Sequence, residues 1–266
     1  MLSQDLHAPA LLHGLSGLRL GHPVHLYQHI GSTQDEARRQ ARAGAPEGLL
    51  IVAEEQTAGR GRAGRRWVTA HGTALAFSLV LRPPATAARG SALSMLAGLA
   101  VCEAVEQLCG LPAMLKWPND ILLGGKKAGG ILVEAAGDAE SLEYALLGIG
   151  LNVASAPPTG SVDFPATSLD AEAGRPVDRL RLLRAILERL ETHYPLLTQG
   201  GAHLHGQWAA RLAWLGENVV AHTPGGDYAG RAEGTDADGA LVVRLDSGAT
   251  VRVVAGDVRL RLAAEM

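Results

Sequence analysis

The stretch Gly59-Arg60-Gly61-Arg62-Ala63-Gly64-Arg65-Arg66-Trp67 places four arginines and three glycines within nine residues. Its glycines fit G-x-G-x-x-G, a dinucleotide-binding turn that requires a preceding strand and a helix opening on the third glycine. The apolar run 49–53 supplies the strand, but residues 73–81 are rich in alternating apolar residues and predict a second strand. The stretch is therefore predicted to be a loop between two strands, which argues against a nicotinamide-dependent dehydrogenase.

This arginine loop (residues 59–67) predicts an anion-binding function. Four guanidinium groups in a glycine-rich segment repel one another and have no evident role in a core. The planar fork of arginine matches the oxygens of phosphate and carboxylate groups. We expect the loop to be mobile and to bind a negatively charged ligand.

Composition restricts the class of protein. The 266 residues suffice for one large and one small domain, and 47% of them are hydrophobic. A formal net charge of -3 argues against a protein that coats nucleic acid. Cys102 and Cys109 fall on one face of an apolar helix, as core residues in a reducing cytosol would. With neither a signal peptide nor an apolar run of ~18 residues, we expect a soluble cytoplasmic protein.

Periodicity and turn signals predict an α/β chain. The segment up to about residue 23 is expected to be loosely packed, and Thr33 with Glu36 forms a capping box for a helix to about residue 43. Further helices are predicted near 87–109, 177–197 and 202–214, with a loop at 154–174. Strands are predicted near 49–54, 72–82, 113–123, 127–135 and 142–150.

The C-terminal part of the chain has a different sequence pattern. From about residue 217, short β-rich runs alternate with turn sequences such as Pro224-Gly225-Gly226-Asp227. This pattern is typical of a small β-barrel or sandwich. We divide the chain into a domain of residues 1–215 and a C-terminal β domain of residues 216–266.

Three further motifs carry candidate chemistry. In Lys116-Trp117-Pro118-Asn119-Asp120, a lysine suits phosphate and a carboxylate suits Mg²⁺. In residues 127–134, a lysine opens a strand and two glycines allow a flat ligand to approach the backbone. Residues 148–153 are predicted to form a strand whose two glycines leave space above the sheet. The strand ends near Asn152, whose side-chain amide can hydrogen-bond the edge of a nucleotide base. Taken singly, each group has a structural alternative as a strand end, a turn residue or a core aromatic.

Together, GRGRAGRRW, KWPND, KAGGILVE and GIGLNV resemble the biotin–protein ligase family in order and spacing, from about Ser32 to the C-terminal module. The resemblance implies an α/β (α+β) fold with a central mixed sheet flanked by helices, related to class II aminoacyl-tRNA synthetases and lipoate ligases. It also implies a C-terminal SH3-like β-barrel.

The resemblance also implies roles for individual residues. It implies catalytic roles for Lys127, Arg62 and Lys116, and a metal-binding role for Asp120. The implied biotin-binding residues are Ser32, Thr33, Gln34, Gln56, Arg60, Gly61, Arg62, Lys127, Gly130 and Leu132. The implied ATP-binding residues are Arg62, Arg65, Trp67, Lys116, Asn119 and Asn152. Gly130, Ile131 and Leu132 are expected to line an apolar groove for the thiophene ring and valeryl tail of biotin.

The implied reaction activates biotin with ATP and Mg²⁺ to biotinyl-5′-AMP and transfers it to a lysine of a biotin carboxyl carrier protein. A lipoate- or octanoate-protein ligase of the same fold and a biotin-responsive DNA-binding repressor remain as alternatives. A repressor needs a helix-turn-helix module of about sixty residues, and 31 residues precede Ser32. We therefore expect a monofunctional ligase that binds neither DNA nor membrane, with a homodimer as one candidate assembly.

Overall fold

The computed structural model describes residues 6–84, 91–137, 142–158, 162, 164–198 and 202–261. A seven-stranded sheet has the order β1-β2-β3-β7-β6-β5-β4. Its strands are β1 Val24–Tyr27, β2 Leu50–Ala53, β3 Ala74–Leu81, β4 Ala113–Lys116, β5 Asp120–Leu123, β6 Lys126–Gly137 and β7 Leu142–Asn152. The β1–β2 pair is parallel and the other pairs are antiparallel, which confirms the predicted mixed sheet.

Helices flank this sheet. They are α1 Ala8–Gly14, α2 Thr33–Arg42, α3 Ala92–Cys109, α4 Leu169–Ala173, α5 Arg179–His193 and α6 Ala202–Ala209. The apolar residues of α3 and α5 join those of β3, β6 and β7 in the main hydrophobic core. On the opposite face, Ala37 and Ala41 of α2 pack over Ile51, Val80 and Leu146. Because α2 covers only part of that face, the remainder is available for a pocket.

By length and composition alone, the 18 residues of α3 are apolar enough to cross a membrane, so the expectation of no such run is wrong. Most of this helix is buried inside the protein, where it packs against α5 and the sheet. Its apolar character therefore serves the core.

The N-terminal segment was expected to be loosely packed, and this is wrong for its described residues, 6–23. Leu11, Leu15 and Leu20 are fully buried, and Arg184 of α5 donates to the carbonyl of Gly14 at 2.6 Å. The spacing of Leu11 and Leu15 places both on one helical face, and that signal was missed.

Other elements also differ from the sequence analysis: β1 was not predicted, and α6 ends at Ala209 rather than near residue 214. Ser32, not Thr33, caps α2, since its Oγ accepts from the Asp35 amide at 3.4 Å. The segment predicted as one strand over 113–123 is two strands, β4 and β5, joined by the Trp117–Asn119 turn, where proline cannot donate to a ladder. The loop predicted over 154–174 contains α4. Of the helix predicted over 87–109, residues 87–90 lie outside the described residues.

The C-terminal module is a five-stranded antiparallel sheet in the order β11-β10-β9-β8-β12. Its strands are β8 Asn218–Thr223, β9 Gly226–Thr235, β10 Leu241–Leu245, β11 Thr250–Val253 and β12 Asp257–Leu260. The indole Nε1 of Trp117 donates to the carbonyl of Gly239 at 2.9 Å, which joins this module to the turn between β4 and β5. The division at residue 215 stays a prediction.

Candidate active site

A cavity of about 350 Å³ lies on the sheet face that α2 leaves uncovered. Every site residue that the sequence analysis named lines this cavity: Ser32, Thr33, Gln34, Gln56, Arg60, Gly61, Arg62, Arg65, Trp67, Lys116, Asn119, Asp120, Lys127, Gly130, Leu132 and Asn152. The fold thus brings together segments that are up to 120 residues apart in the sequence. The binding roles assigned to these residues remain predictions.

Strand register explains the floor of the pocket. Gly130 pairs with Gly150, and Gly148 pairs with both Leu132 and Ser78. Directly paired residues in an antiparallel sheet project to the same face, so these five positions share one surface. Three of them are glycines, and the floor is therefore largely backbone.

One end of the pocket is a buried network of hydroxyl and amide groups. The Thr33 backbone N and Oγ1 donate to Gln56 Oε1 at 2.8 and 3.0 Å. The Ser78 hydroxyl lies 2.9 Å from both Thr33 Oγ1 and Gln34 Oε1. Ser32 also lines this end while it caps α2. These contacts fix the side chains at the start of α2 in one arrangement.

Two of the glycines make room for specific neighbours. A Cβ at Gly148 would lie 2.6 Å from Gln34 Oε1, and one at Gly150 would lie 2.6 Å from the Trp67 ring. Side chains at these positions would displace Gln34 or Trp67, since real Cβ atoms do not approach so closely. The glycines of β7 therefore allow the side chains of Gln34 and Trp67 to lie directly against the sheet.

Gly129 and Gly130 serve different purposes. A Cβ at Gly129 would lie 2.7 Å from the Gly150 carbonyl oxygen, so Gly129 is required by strand packing. A Cβ at Gly130 would meet nothing closer than Asp120 Oδ1, at 3.7 Å. Of the two glycines, only Gly130 faces the pocket and leaves space there.

Two lysines converge on Asp120 at the opposite end of the pocket. Lys127 Nζ donates to Asp120 Oδ1 at 2.6 Å, and Lys116 Nζ lies 3.6 Å from Asp120 Oδ2. Lys116 ends β4 and Asp120 begins β5 directly opposite it in the register. Lys127 Nζ also lies 5.9 Å from the centre of the Trp67 ring, and Lys116 Nζ lies 5.4 Å from that of Phe164. This end of the pocket is therefore rich in positive charge and aromatic surface.

The arginine loop is a small hairpin above the pocket. Arg60 and Arg66 form an antiparallel bridge, and the Trp67 amide donates to the Gly59 carbonyl at 2.8 Å. A short 3₁₀ turn, Arg62–Gly64, closes the tip, where Gly64 adopts a φ of 74°. The strand–loop–strand arrangement is as predicted.

The loop arginines have different partners. Arg60 forms ion pairs with Asp35 at 3.0 Å and with Glu134 at 3.1 Å, and Arg38 binds the same two carboxylates. Arg65 Nη1 pairs with Asp257 at 3.0 Å. Arg60 is thus already engaged in holding the loop to α2 and β6.

Arg62 faces the pocket differently. Its Nη1 donates to Asn119 Oδ1 at 3.3 Å, a neutral amide oxygen. Burial, followed by the charge of Arg65, lowers the pKa of the Arg62 guanidinium, although arginine stays charged at neutral pH. A charged group that is partly buried beside another cation is suited to an incoming anion.

The two asparagines are tied to the backbone. Asn119 Nδ2 donates to the Ile131 carbonyl at 2.6 Å, and Asn152 Nδ2 donates to the Thr167 carbonyl at 3.0 Å. By contrast, the buried Trp67 Nε1 has no hydrogen-bond partner among the described residues. Asn119 therefore positions Arg62, whereas the indole of Trp67 retains a donor for a ligand.

Sequence reasoning missed several lining residues, of which three carry polar or aromatic groups that matter for the site. Ser78, Phe164 and Asp257 line the pocket from β3, the loop before α4 and the C-terminal sheet. None stands in a motif, and only the tertiary fold brings them to the site. Ile131, expected to line an apolar groove with Gly130 and Leu132, is among the residues that line the cavity, and it also belongs to the main hydrophobic core.

Comparisons with known proteins agree with this geometry. The Biotin/lipoate A/B protein ligase family matches residues 28–152, and the Biotin protein ligase C terminal domain matches residues 214–261. The biotin--[acetyl-CoA-carboxylase] ligase of Paracoccus denitrificans is 40% identical over 228 residues, which cover 83% of this chain and 93% of that protein. The bifunctional ligase/repressor BirA of Bacillus subtilis is 36% identical over 89% of this chain and 74% of its own length.

Among solved structures, the biotin protein ligase from Aquifex aeolicus in complex with biotin and ATP has a TM-score of 0.78 and 28% identity. The match covers 91% of this chain and 100% of that one. Fold and pocket thus define a ligase of the biotin and lipoate class. Within it, the chain belongs to the biotin protein ligase family.

Proposed function

We propose that this pocket joins the carboxylate of biotin to the α-phosphate of ATP and later transfers biotin to a lysine of a carrier protein. The observation that carries the proposal is the convergence of Lys127 and Lys116 on Asp120, between an amide-rich pocket end and the arginine loop. Such an arrangement places positive charge where a carboxylate and a phosphate must meet without repelling each other. The similarity to the Aquifex ligase in complex with biotin and ATP supports it.

The polar end suits the ureido ring of biotin. A cyclic urea has one carbonyl acceptor and two N–H donors, and Thr33, Gln34 and Gln56 offer both kinds of partner. From Gly148, beside Gln34, to Gly150, beside Trp67, the strand advances two residues, about 6.6 Å. The valeryl tail would run along this floor and bring its carboxylate towards Lys127.

The nucleotide would occupy the other end. Arg62, Arg65 and Lys116 would meet the phosphates, with Trp67 and Asn152 beside the base. Each such contact made only in the transition state typically contributes ~2–4 kcal/mol, so that its loss slows the reaction ~10²–10³-fold.

In the first step, a biotin carboxylate oxygen forms a bond to the α-phosphorus, and the bond from that phosphorus to the β-phosphate oxygen breaks. The products are biotinyl-5′-AMP and pyrophosphate. In the second step, the amine of the acceptor lysine bonds to the acyl carbon, the bond to AMP breaks, and the amine loses a proton to solvent. The substrates supply both nucleophiles, so the protein's task is positioning and charge neutralisation.

The residues of this pocket fit a Mg²⁺ ion that is bound together with ATP. Asp120 Oδ1 already accepts from Lys127, but Oδ2 lies 3.6 Å from Lys116 and retains capacity for a further ligand. The described residues contain no group of three or more acidic, histidine or cysteine side chains placed to hold an ion by themselves. Asp120 would therefore hold Mg²⁺ together with phosphate oxygens and water, and the ion would offset phosphate charge.

The arginine loop would also retain the reactive adenylate. An acyl-adenylate hydrolyses in water, and a closed loop excludes water until the acceptor arrives. We expect Arg62→Gln to release adenylate and label lysines of unrelated proteins. Loss of activity without such labelling would contradict containment.

The substrate acid is tested by incubating the protein with ATP and biotin, lipoate or octanoate in turn and measuring pyrophosphate release. Release with biotin alone is the expected result. Release with lipoate or octanoate alone would assign the pocket to the related ligases, and none with biotin would overturn the proposal.

A further inference from the structure

Asp257 links the C-terminal sheet to the pocket. It is the first residue of β12, and of the described residues in that sheet it alone lines the cavity. Its carboxylate is partly buried between the KWPND turn and the arginine loop.

Each Asp257 oxygen binds a different pocket cation. Lys116 Nζ donates to Oδ1, and Arg65 Nη1 donates to Oδ2 at 3.0 Å. The Val258 amide also donates to Oδ1 at 2.9 Å and fixes the rotation of the carboxylate. Burial raises the pKa of Asp257, but the hydrogen bond from Lys116 and the charges of Lys116 and Arg65 outweigh it, so the net pKa is lowered. The group is therefore ionised at neutral pH.

Lys116 has only one other carboxylate within ion-pair distance among the described residues. Its Nζ lies 3.6 Å from Asp120 Oδ2, while Asp120 is already bound by Lys127. Without the charge of Asp257, Lys116 would move onto Asp120 and compete with Lys127. Arg65, half-exposed, would lose its carboxylate partner.

We propose that Asp257 is a positioning residue through which the C-terminal sheet holds Lys116 and Arg65 in place for the phosphates of the nucleotide. This inference rests on the proposed adenylation reaction and goes beyond it by giving the C-terminal sheet a defined task. Asp257 would act on the rate of the first step, whereas the distant polar end that binds biotin would be unaffected.

The test compares Asp257→Asn with Asp227→Asn in the full-length protein. Asp227 lies in the same sheet, is 60% exposed and pairs with His222 at 2.8 Å, outside the pocket. The assays are biotin-dependent exchange of labelled pyrophosphate into ATP and calorimetric titration of biotin. Because displacement of a reacting group by about 1 Å can cost ~10²-fold, we expect Asp257→Asn to lower kcat for exchange at least ~10-fold. Biotin affinity should stay within about twofold, and Asp227→Asn should match the wild type.

A second comparison separates positioning from folding. In a Lys116→Gln background, Asp257→Asn should lower the rate less than threefold, since Lys116, the less exposed of the two cations it positions, is already absent. Asp257→Glu, which retains the charge, should recover part of the rate. If Asp257→Asn equals its control, or slows the Lys116→Gln enzyme as much as the wild type, the inference is wrong. Absence of biotin-dependent exchange in the wild type would instead overturn the proposed function.

Discussion

Asp120 and Gly130 stand directly opposite each other in the β5–β6 register, and the space above Gly130 opens beside the ion pair of Asp120 with Lys127. A Cβ added at Gly130 would lie 3.7 Å from Asp120 Oδ1, an ordinary van der Waals distance. The missing side chain therefore leaves room for a ligand without being required by the fold.

The neighbouring glycines provide a matched pair of variants. Gly130→Ala should weaken biotin binding with little change in stability, because its methyl group enters the pocket. Gly129→Ala should lower the free energy of unfolding by ~1–3 kcal/mol, because its methyl group meets the backbone of β7. Urea unfolding and biotin titration check both. Loss of stability in Gly130→Ala with normal biotin binding would contradict the assignment.

The arginine loop should be protected from trypsin by its ligands. The loop contains four arginines and is held by the Arg60 ion pairs with Asp35 and Glu134. Replacing Asp35 and Glu134 together by alanine should speed cleavage within residues 60–66 in the absence of ligand. Biotin with ATP should slow cleavage in the wild type, as followed by mass spectrometry. Equal cleavage rates for wild type and variant would show that these pairs do not anchor the loop.

The free energy of unfolding should fall at acid pH, partly because Glu36 becomes protonated. The hydrogen bond from Arg39 is the largest cause that lowers the pKa of Glu36 to about 2, from an ordinary value of 4.5. A lowered folded-state pKa means that the stabilisation is present above pH 4.5 and is lost as the pH falls towards 2. The contribution should be at most about 1 kcal/mol, as for other partly exposed ion pairs. Urea unfolding between pH 6 and pH 3 should show a shallower loss for Glu36→Gln; an unchanged slope would exclude this role.

Cys102 should not react as a nucleophile. Burial raises the pKa of its thiol to about 12, so almost no thiolate exists at neutral pH. Iodoacetamide should label Cys102 only after unfolding, and Cys102→Ala should retain activity. Rapid labelling in the native protein together with loss of activity in Cys102→Ala would favour an acyl-transferase with a thioester intermediate.

Local sequence patterns were sufficient to predict most strands of the large sheet and the position of the arginine loop between two strands. An almost continuous apolar run marks β3, and the glycines mark the hairpin, because these signals lie within a few residues. The motifs 116–120 and 127–134 lie on adjacent strands, and their register brings Lys116, Asp120 and Lys127 together.

What sequence reasoning missed depends on tertiary contacts. Asp257 reaches the pocket only because the C-terminal sheet packs on the Trp117 turn, and Ser78 does so through its register with Gly148. The spacing of Leu11 and Leu15 is visible in the sequence, but α5, against which α1 packs, lies far along the chain, so local reading does not show what covers the two leucines.

In the proposed reaction, Lys127 holds the carboxylate of biotin for attack on ATP. The most direct measurement is acid quenching of the protein with biotin and ATP, followed by detection of biotinyl-5′-AMP, in the wild type, Lys127→Met and Lys126→Met. Lys126 is the matched control because it lies on the same strand but pairs with Glu172 at 2.9 Å, outside the pocket. We predict the adenylate in the wild type and in Lys126→Met, and a loss of ~10²-fold or more in Lys127→Met. No adenylate in the wild type would contradict the proposed reaction, and equal amounts in the two variants would contradict this role of Lys127.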